Sequence, residues 1–164
     1  MTAMALKLAN ALAPLIHAGK LQVIQTNYGV RIDINDSLLF APGSAALSAE
    51  AAAPLTQIAQ ILAADPHTVQ VEGHTDNVPI HNASFYSNWE LSAVRASTVV
   101  RLFADNGVSE QRLSATGFGS AQPVSDNLTI AGRAKNRRVS VMLMYRSQKN
   151  MDTDLAEIRP TSRW

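Results

Sequence analysis

The sequence predicts an α/β fold: a two-layer sandwich in which a mixed β-sheet carries helices packed on one face. Three observations lead there. Short runs such as "LQVIQ", "VRIDI", "HTVQVEG" and "RRVSVMLMY" alternate apolar and polar residues with the period of a strand. Two longer stretches, residues 48–64 and 88–106, repeat apolar residues at helical spacing. The chain has 164 residues, 46% of them hydrophobic and 16% charged, which suits one folded domain with a sizeable core. Strand alternation implies a sheet with one buried face, and the two long helices would cover it.

The elements follow in order. Met4, Leu8, Leu12 and Leu15 recur at helical spacing, so residues 4–18 form a short amphipathic helix, bent or ended near Pro14 and stopped by Gly19. Lys7, Asn10, Pro14 and His17 interrupt that segment. A membrane span needs about 20 mainly apolar residues, and a secretory signal has an unbroken apolar middle, so neither pattern fits. "LQVIQ" and "VRIDI" flank "TNYG" as a hairpin, with Val30, Ile32 and Ile34 on one face and Arg31 and Asp33 on the other. "LLFAPGSAAL" reads as a loop. Ser48 is the expected N-cap of the first long helix, which runs to Ala64 with Glu50 in its first turn. Pro54 either kinks that helix or marks its true start. Leu55, Ile58, Ala59 and Leu62 form its inward stripe.

"HTVQVEGHTD" is a strand with Val69, Val71, Gly73 and Thr75 on one face and Gln70, Glu72 and His74 on the other. Ser87 and Glu90 make a capping box for the second long helix, from Asn88 to Asn106, which Gly107 closes. Leu91, Val94, Thr98, Val99 and Leu102 carry its apolar stripe. "QRLSATGFG" is a short strand, "NLTIAGRAKN" a loop with one helical turn, and "RRVSVMLMY" the closing strand. Residues 146–164 have no clear period. The domain boundaries expected are a connector helix over 1–20, a domain over 21–145 and a flexible tail over 146–164.

Asp76 lies where a strand stops and a loop begins, a position that is supported yet accessible. Arg95 follows Leu91 by four residues, so its guanidinium starts near the apolar helix face, loses water and needs an anion. Spacing leaves two readings open. Asp76 and Arg95 pair with each other, or they hold opposite ends of a zwitterion such as the end of an amino acid. In the second reading the ammonium meets Asp76, and the carboxylate meets Arg95 and the helix N-terminus.

Four motifs, "VEGHTDN", "NWELSAVRA", "GFGSAQPV" and "GRAKNRRVSV", resemble in that order the OmpA-like peptidoglycan-binding domain. The resemblance runs from Val30 to Leu143. The loop "NVPIHNASFYSNWELS" is more similar to that of the flagellar stator members, of the MotB and MotD type, than to the shorter loop of outer-membrane lipoproteins. The resemblance implies the OmpA C-terminal fold and a noncatalytic cell-wall anchor with no cofactor and no metal. It implies that Asp76 and Arg95 hold the amino and carboxylate groups of diaminopimelate in the stem peptide of peptidoglycan. Asn88 and Leu91 match the family's asparagine and leucine ahead of that arginine, and Thr75, Phe40 and Arg138 match positions lining the same groove. Ala41 departs from the pattern: many lipoprotein members have an acid there, so one ligand contact of those relatives loses its side chain.

The stator resemblance further implies a homodimer, a MotA-type partner reached through a membrane segment absent from this sequence, and basal-body ring proteins as further partners. It places the domain in the periplasm of a Gram-negative bacterium, as part of an inner-membrane protein. The helix over 4–18 would then connect membrane to sheet and expose its apolar side for dimerisation. The alternatives are a general OmpA-like anchor of an outer-membrane protein or lipoprotein, and a protein-interaction module whose groove takes a peptide terminus. On the wall-binding reading, Asp76→Ala and Arg95→Ala each abolish sacculus binding and leave the thermal transition nearly unchanged.

Other constellations are weaker. The net charge of +1 gives no reason to expect nucleic-acid binding, and the basic cluster Arg133, Lys135, Arg137 and Arg138 has no stacking aromatics interleaved. In that cluster Arg137 is expected in solvent or in a local pair, and Arg138 in the groove. The absence of cysteine excludes disulfides and thiolate metal sites. His74 and Asp76 could share a metal only with a third ligand, for which His81 is the near candidate. A nucleophile built from Ser84 or Ser87 with His81 and Asp76 lacks a strained Gly-x-Ser-x-Gly turn. A carboxylate pair of Asp76 with Glu72 or Glu90 competes with the capping role of Glu90. Phe85, Tyr86 and Trp89 either pack the loop onto the domain or contact sugar or a partner protein.

Overall fold

The computed structural model describes residues 2–145; the tail expected over 146–164 lies outside the described residues. The strands are Leu21–Gln25 (β1), Gly29–Asn35 (β2), Thr68–His74 (β3), Leu113–Gly117 (β4) and Arg138–Met144 (β5). They form one sheet in the order β1-β2-β5-β3-β4. The β3–β4 pair is parallel and the other three pairs are antiparallel, so the sheet is mixed as predicted. The helices are Ala3–Ala11 (α1), Ala13–His17 (α2), Asp36–Leu39 (α3), Ala52–Ala63 (α4), Asn88–Asp105 (α5) and Ile130–Asn136 (α6). Helix α5 supplies the crossover that the parallel β3–β4 pair requires.

One hydrophobic core lies between the sheet and its helices. Leu55, Ile58 and Leu62 of α4 and Val99 and Phe103 of α5 pack with Ile32, Val71 and Val141 of the sheet. The apolar stripe of the first helix is buried in the same core, not left exposed: Leu8 is 0% exposed, and Ala5 and Leu12 are buried beside it. Pro14 ends α1 and starts α2, since a proline fits a helix only in its first turn.

Four local expectations change. Ser48 does not cap α4: its hydroxyl donates to the Leu38 carbonyl at 3.0 Å, and the helix starts at Ala52, with Pro54 in a first turn that needs no amide. The stretch "LLFAPGSAAL" is not all loop, because Leu38 and Leu39 close α3 and Phe40 bridges to Leu47. Helix α6 is seven residues long, with Thr129 Oγ1 accepting from the Gly132 amide. On α5 the buried arc centres on Arg95 and Val99, which turns Val94 out to solvent.

The position of α5 explains that rotation. A Cβ built on Gly73 of β3 would stand 2.1 Å from the Ser92 carbonyl oxygen, and one on Gly117 of β4 2.4 Å from the Ala93 amide nitrogen. Only glycine lets the helix backbone touch the sheet there.

Strand β5 is buried on both faces, whereas strand alternation predicts one. It is the central strand, and Asp33, Ser140 and Glu72 stand side by side across β2, β5 and β3 on the face away from the helices. Ser140 Oγ donates to Asp33 Oδ1 at 2.7 Å. Among the described residues, polar side chains of the neighbouring strands thus shield the middle of that face.

Candidate functional site

Sheet register brings the site together. Asn35, Arg138 and His74 stand opposite one another at one end of β2, β5 and β3. The residues just past that end are Asp36, Arg137 and the pair Thr75–Asp76. The Asp36 amide donates to the Arg137 carbonyl at 3.0 Å, continuing the ladder by one bond. The first turns of α5 and the loop 40–44 complete a cleft of about 770 Å³. That size lies within the usual range for small-ligand sites.

Four charged side chains run through this cleft as alternating partners. Arg95 Nη1 donates to Asp36 Oδ2 at 3.0 Å. Arg137 bridges the two acids, 3.6 Å from Asp36 and 2.8 Å from Asp76. Asp76 Oδ1 also accepts from the Val78 amide at 3.0 Å, which holds the following turn. Asp76 and Arg95 therefore share a cleft but pair with different partners.

Arg95 is only 3% exposed. Its Nε donates to the Ser44 carbonyl at 2.8 Å, its Nη2 donates to the Ala41 carbonyl at 3.3 Å, and its guanidinium carbon sits 4.7 Å from the Phe40 ring centroid. Burial pushes its pKa below the usual arginine range, and the Asp36 carboxylate opposes that shift. Three of its five N–H groups are engaged in these bonds, and the side chain still borders the cleft.

Six of the residues expected in the site line this cleft: Asp76, Arg95, Thr75, Asn88, Leu91 and Phe40. Thr75 Oγ1 donates to the Asp76 carbonyl at 2.8 Å, and Asn88 Nδ2 donates to the Val78 carbonyl at 2.9 Å, so both hold the backbone around Asp76. Arg138 is not in the cleft, which corrects its expected place. It is the first residue of β5 and points to the opposite face, reaching the carbonyls of Asn136 and Gln122, each at 3.3 Å. Burial lowers its pKa as well. Its neighbour Arg137 takes the cleft position, because adjacent residues at a strand start face opposite ways.

Sequence reasoning missed Asp36, Arg137, Arg133 and Glu50, which also line the cleft. For Asp36 the signal was present: like Asp76, it is an acid just past the end of an alternating strand. Asn136 was missed too. It is fully buried, and its Oδ1 accepts from the amides of Val124 and Ser125 while its Nδ2 donates to the Ser125 carbonyl and to Asn127 Oδ1. It ties the loop before α6 to the helix that carries Arg133.

His74 and Asp76 do not face one site. His74 Nε2 lies 3.0 Å from Glu72 Oε1, its ring stacks on Phe118 at 5.1 Å, and both lie away from the cleft. His81 pairs instead with the Tyr86 carbonyl. Among the described residues, no group of three or more His, Asp or Glu side chains is placed to hold a metal.

The fold and the cleft define a small α/β domain that presents alternating fixed charges at one end of a mixed sheet. The chain belongs to the OmpA family, which matches residues 39–137. It is 38% identical over 129 residues to Motility protein B of Bacillus subtilis, covering 77% of this chain and 49% of that relative. The chain thus spans about half the length of that protein. Among solved structures, it resembles the cell wall anchor of the T6SS from Pseudomonas aeruginosa with a TM-score of 0.79 and 35% identity, over 84% of this chain and 96% of that one. It also resembles the periplasmic domain of Helicobacter pylori MotB with a TM-score of 0.72 and 27% identity, over 85% of this chain and 93% of that one. No helix among the described residues is long and apolar enough to cross a membrane.

Proposed function

We propose that this domain binds peptidoglycan and serves as a noncatalytic cell-wall anchor, with diaminopimelate of the stem peptide held in the cleft. The observation that supports this best is the chain Arg95–Asp36–Arg137–Asp76 along one open cleft. The free end of diaminopimelate is an ammonium and a carboxylate on one carbon. Such a group needs an acid and a guanidinium a few ångströms apart, both short of water. Arg95 is locked by its backbone bonds, so it is the fixed carboxylate receptor. Arg137 has a side chain 37% exposed, so it is the exchangeable partner. The ligand ammonium takes its place beside Asp76, and Arg137 turns to the ligand carboxylate. Charge stays balanced, and no bond is made or broken.

The likeness to Motility protein B and to a MotB periplasmic domain supports a flagellar stator as the parent molecule. On that reading the domain works in the periplasm as part of an inner-membrane protein, as a dimer, with a MotA-type subunit and basal-body ring proteins as partners. The likeness to a T6SS cell wall anchor favours a second reading, a general wall anchor with the same cleft.

Sacculus pull-down with free diaminopimelate as competitor tests the shared claim. Asp76→Asn keeps the oxygen that accepts from Val78 and removes the charge, so folding is preserved. Binding should weaken by roughly 2–5 kcal/mol, the usual loss on removing one partner of a desolvated charge contact. Undiminished binding by this variant, or pull-down that diaminopimelate does not compete, rules the cleft out. Release of soluble wall fragments would rule out a purely noncatalytic role.

A further inference from the structure

Beside the cleft, the second residue of α5 is a tryptophan left open to solvent. Trp89 is 57% exposed, an unusual place for an indole, which gains most from burial. Its main chain is fixed. Its amide donates to Ser87 Oγ at 3.1 Å and its carbonyl accepts from Ser92 Oγ at 3.0 Å. The ring packs close to Gly119: a Cβ built there would stand 3.4 Å from both Cδ2 and Cε3. Gly119 is itself clamped, its amide donating to Ser92 Oγ at 2.9 Å and its carbonyl accepting from the Thr75 amide at 2.9 Å. The indole therefore has fixed backbone close beside it, while more than half of the residue stays open to water.

This surface continues the cleft. Asn88 lines the cleft and precedes Trp89 in the chain, and Thr75 lines it and holds the glycine beside the ring. We infer that Trp89 is a sugar-stacking subsite, so that the domain grips the glycan strand as well as the stem peptide. The inference rests on the peptidoglycan reading of the cleft. A pyranose ring presents C–H groups on one face, and these carry the partial positive charge that the negative face of an indole attracts. The ligand's covalent structure supplies the reach. Two residues separate diaminopimelate from the lactyl group of muramic acid, a span of roughly 7–10 Å. Trp89 directly follows Asn88, a residue of the cleft, so on this inference one ligand spans both contacts.

Titration calorimetry with two probes tests this: a disaccharide-tetrapeptide carrying diaminopimelate, and the same tetrapeptide without sugars. Trp89→Ala should weaken disaccharide-tetrapeptide binding by about 3- to 10-fold and leave the sugar-free peptide unchanged. Trp89→Phe, which keeps a flat ring, should retain most of the preference, and Trp89→Leu should lose it. Asp76→Asn should lose both probes. Equal binding of the disaccharide probe by Trp89→Ala and the parent overturns the subsite and leaves the cleft standing. So does an equal loss of both probes in Trp89→Ala, or identical behaviour of the Phe and Leu variants. Failure of the parent to bind either probe overturns the cleft reading and the subsite with it.

Discussion

A guanidinium taken almost wholly out of water must find partners for its charge and its N–H groups, and Arg95 finds them on three residues of two segments. Its bonds reach the start of α3 and the backbone on both sides of Gly43. The side chain is thus a fastening for the 40–44 loop, in addition to the receptor role proposed for it. Replacing it by alanine leaves two backbone carbonyls and one carboxylate oxygen without their donor. We expect Arg95→Ala to lower stability by about 3–5 kcal/mol, the range for breaking a buried pair from one side. In thermal unfolding that is a fall on the order of 10 °C. An unchanged transition, as the sequence alone suggested, would contradict this placement. Arg95→Lys should recover little, since an ammonium cannot serve three acceptors in that fork. Asp76 and Arg95 were legible because each sat where a charge had a reason to be: at a strand end, and beside a buried helix position. Arg137 was not, since "NRR" does not reveal which arginine begins the strand, and one step of register exchanges cleft for opposite face.

Helix α5 starts at a capping box that was readable from "SNWE". Ser87 Oγ accepts from the Trp89 amide, and its hydroxyl donates to the Glu90 carboxylate. That hydroxyl is the main reason the Glu90 pKa lies below the usual glutamate range. The folded state therefore favours the charged carboxylate. This contribution is fully present above the unfolded pKa and is lost as pH falls through the lower folded pKa. Amide exchange in the first turn of α5 should accelerate on acidification from about pH 6 to about pH 3, beyond the intrinsic rate change. Ser87→Ala should remove that difference and cost about 1 kcal/mol. If the variant keeps the acid sensitivity, the box is not its source. Ser48 shows the limit of the same rule. It has the right residue type and position, yet its hydroxyl is taken by the Leu38 carbonyl across the short α3, a contact no local pattern announces.

In the whole molecule, a stripe of leucines says that a helix is buried but not against what. The period of α1 was plain from the residues, while its docking onto the common core depended on where α4 and β1 lie. Leu8→Ala should therefore cost about 2–5 kcal/mol and lower a single cooperative unfolding transition. A separate early transition for the N-terminal helices would show that they fold apart from the sheet. The sheet's two-layer character was likewise legible from alternation, but its strand order was not, since β5 reaches the centre from the end of the described chain. Glycines 73 and 117 bear on the site as well as on the packing. With helix backbone resting on strand backbone, the axis that carries Arg95 cannot shift relative to the strand that leads to Asp76. The conformational entropy of aligning a cation with an anion is thereby spent once, during folding, and not again at each encounter. A guest that matches the spacing should dock with the main chain at rest, and one that is a methylene too long will find no slack in which to fit.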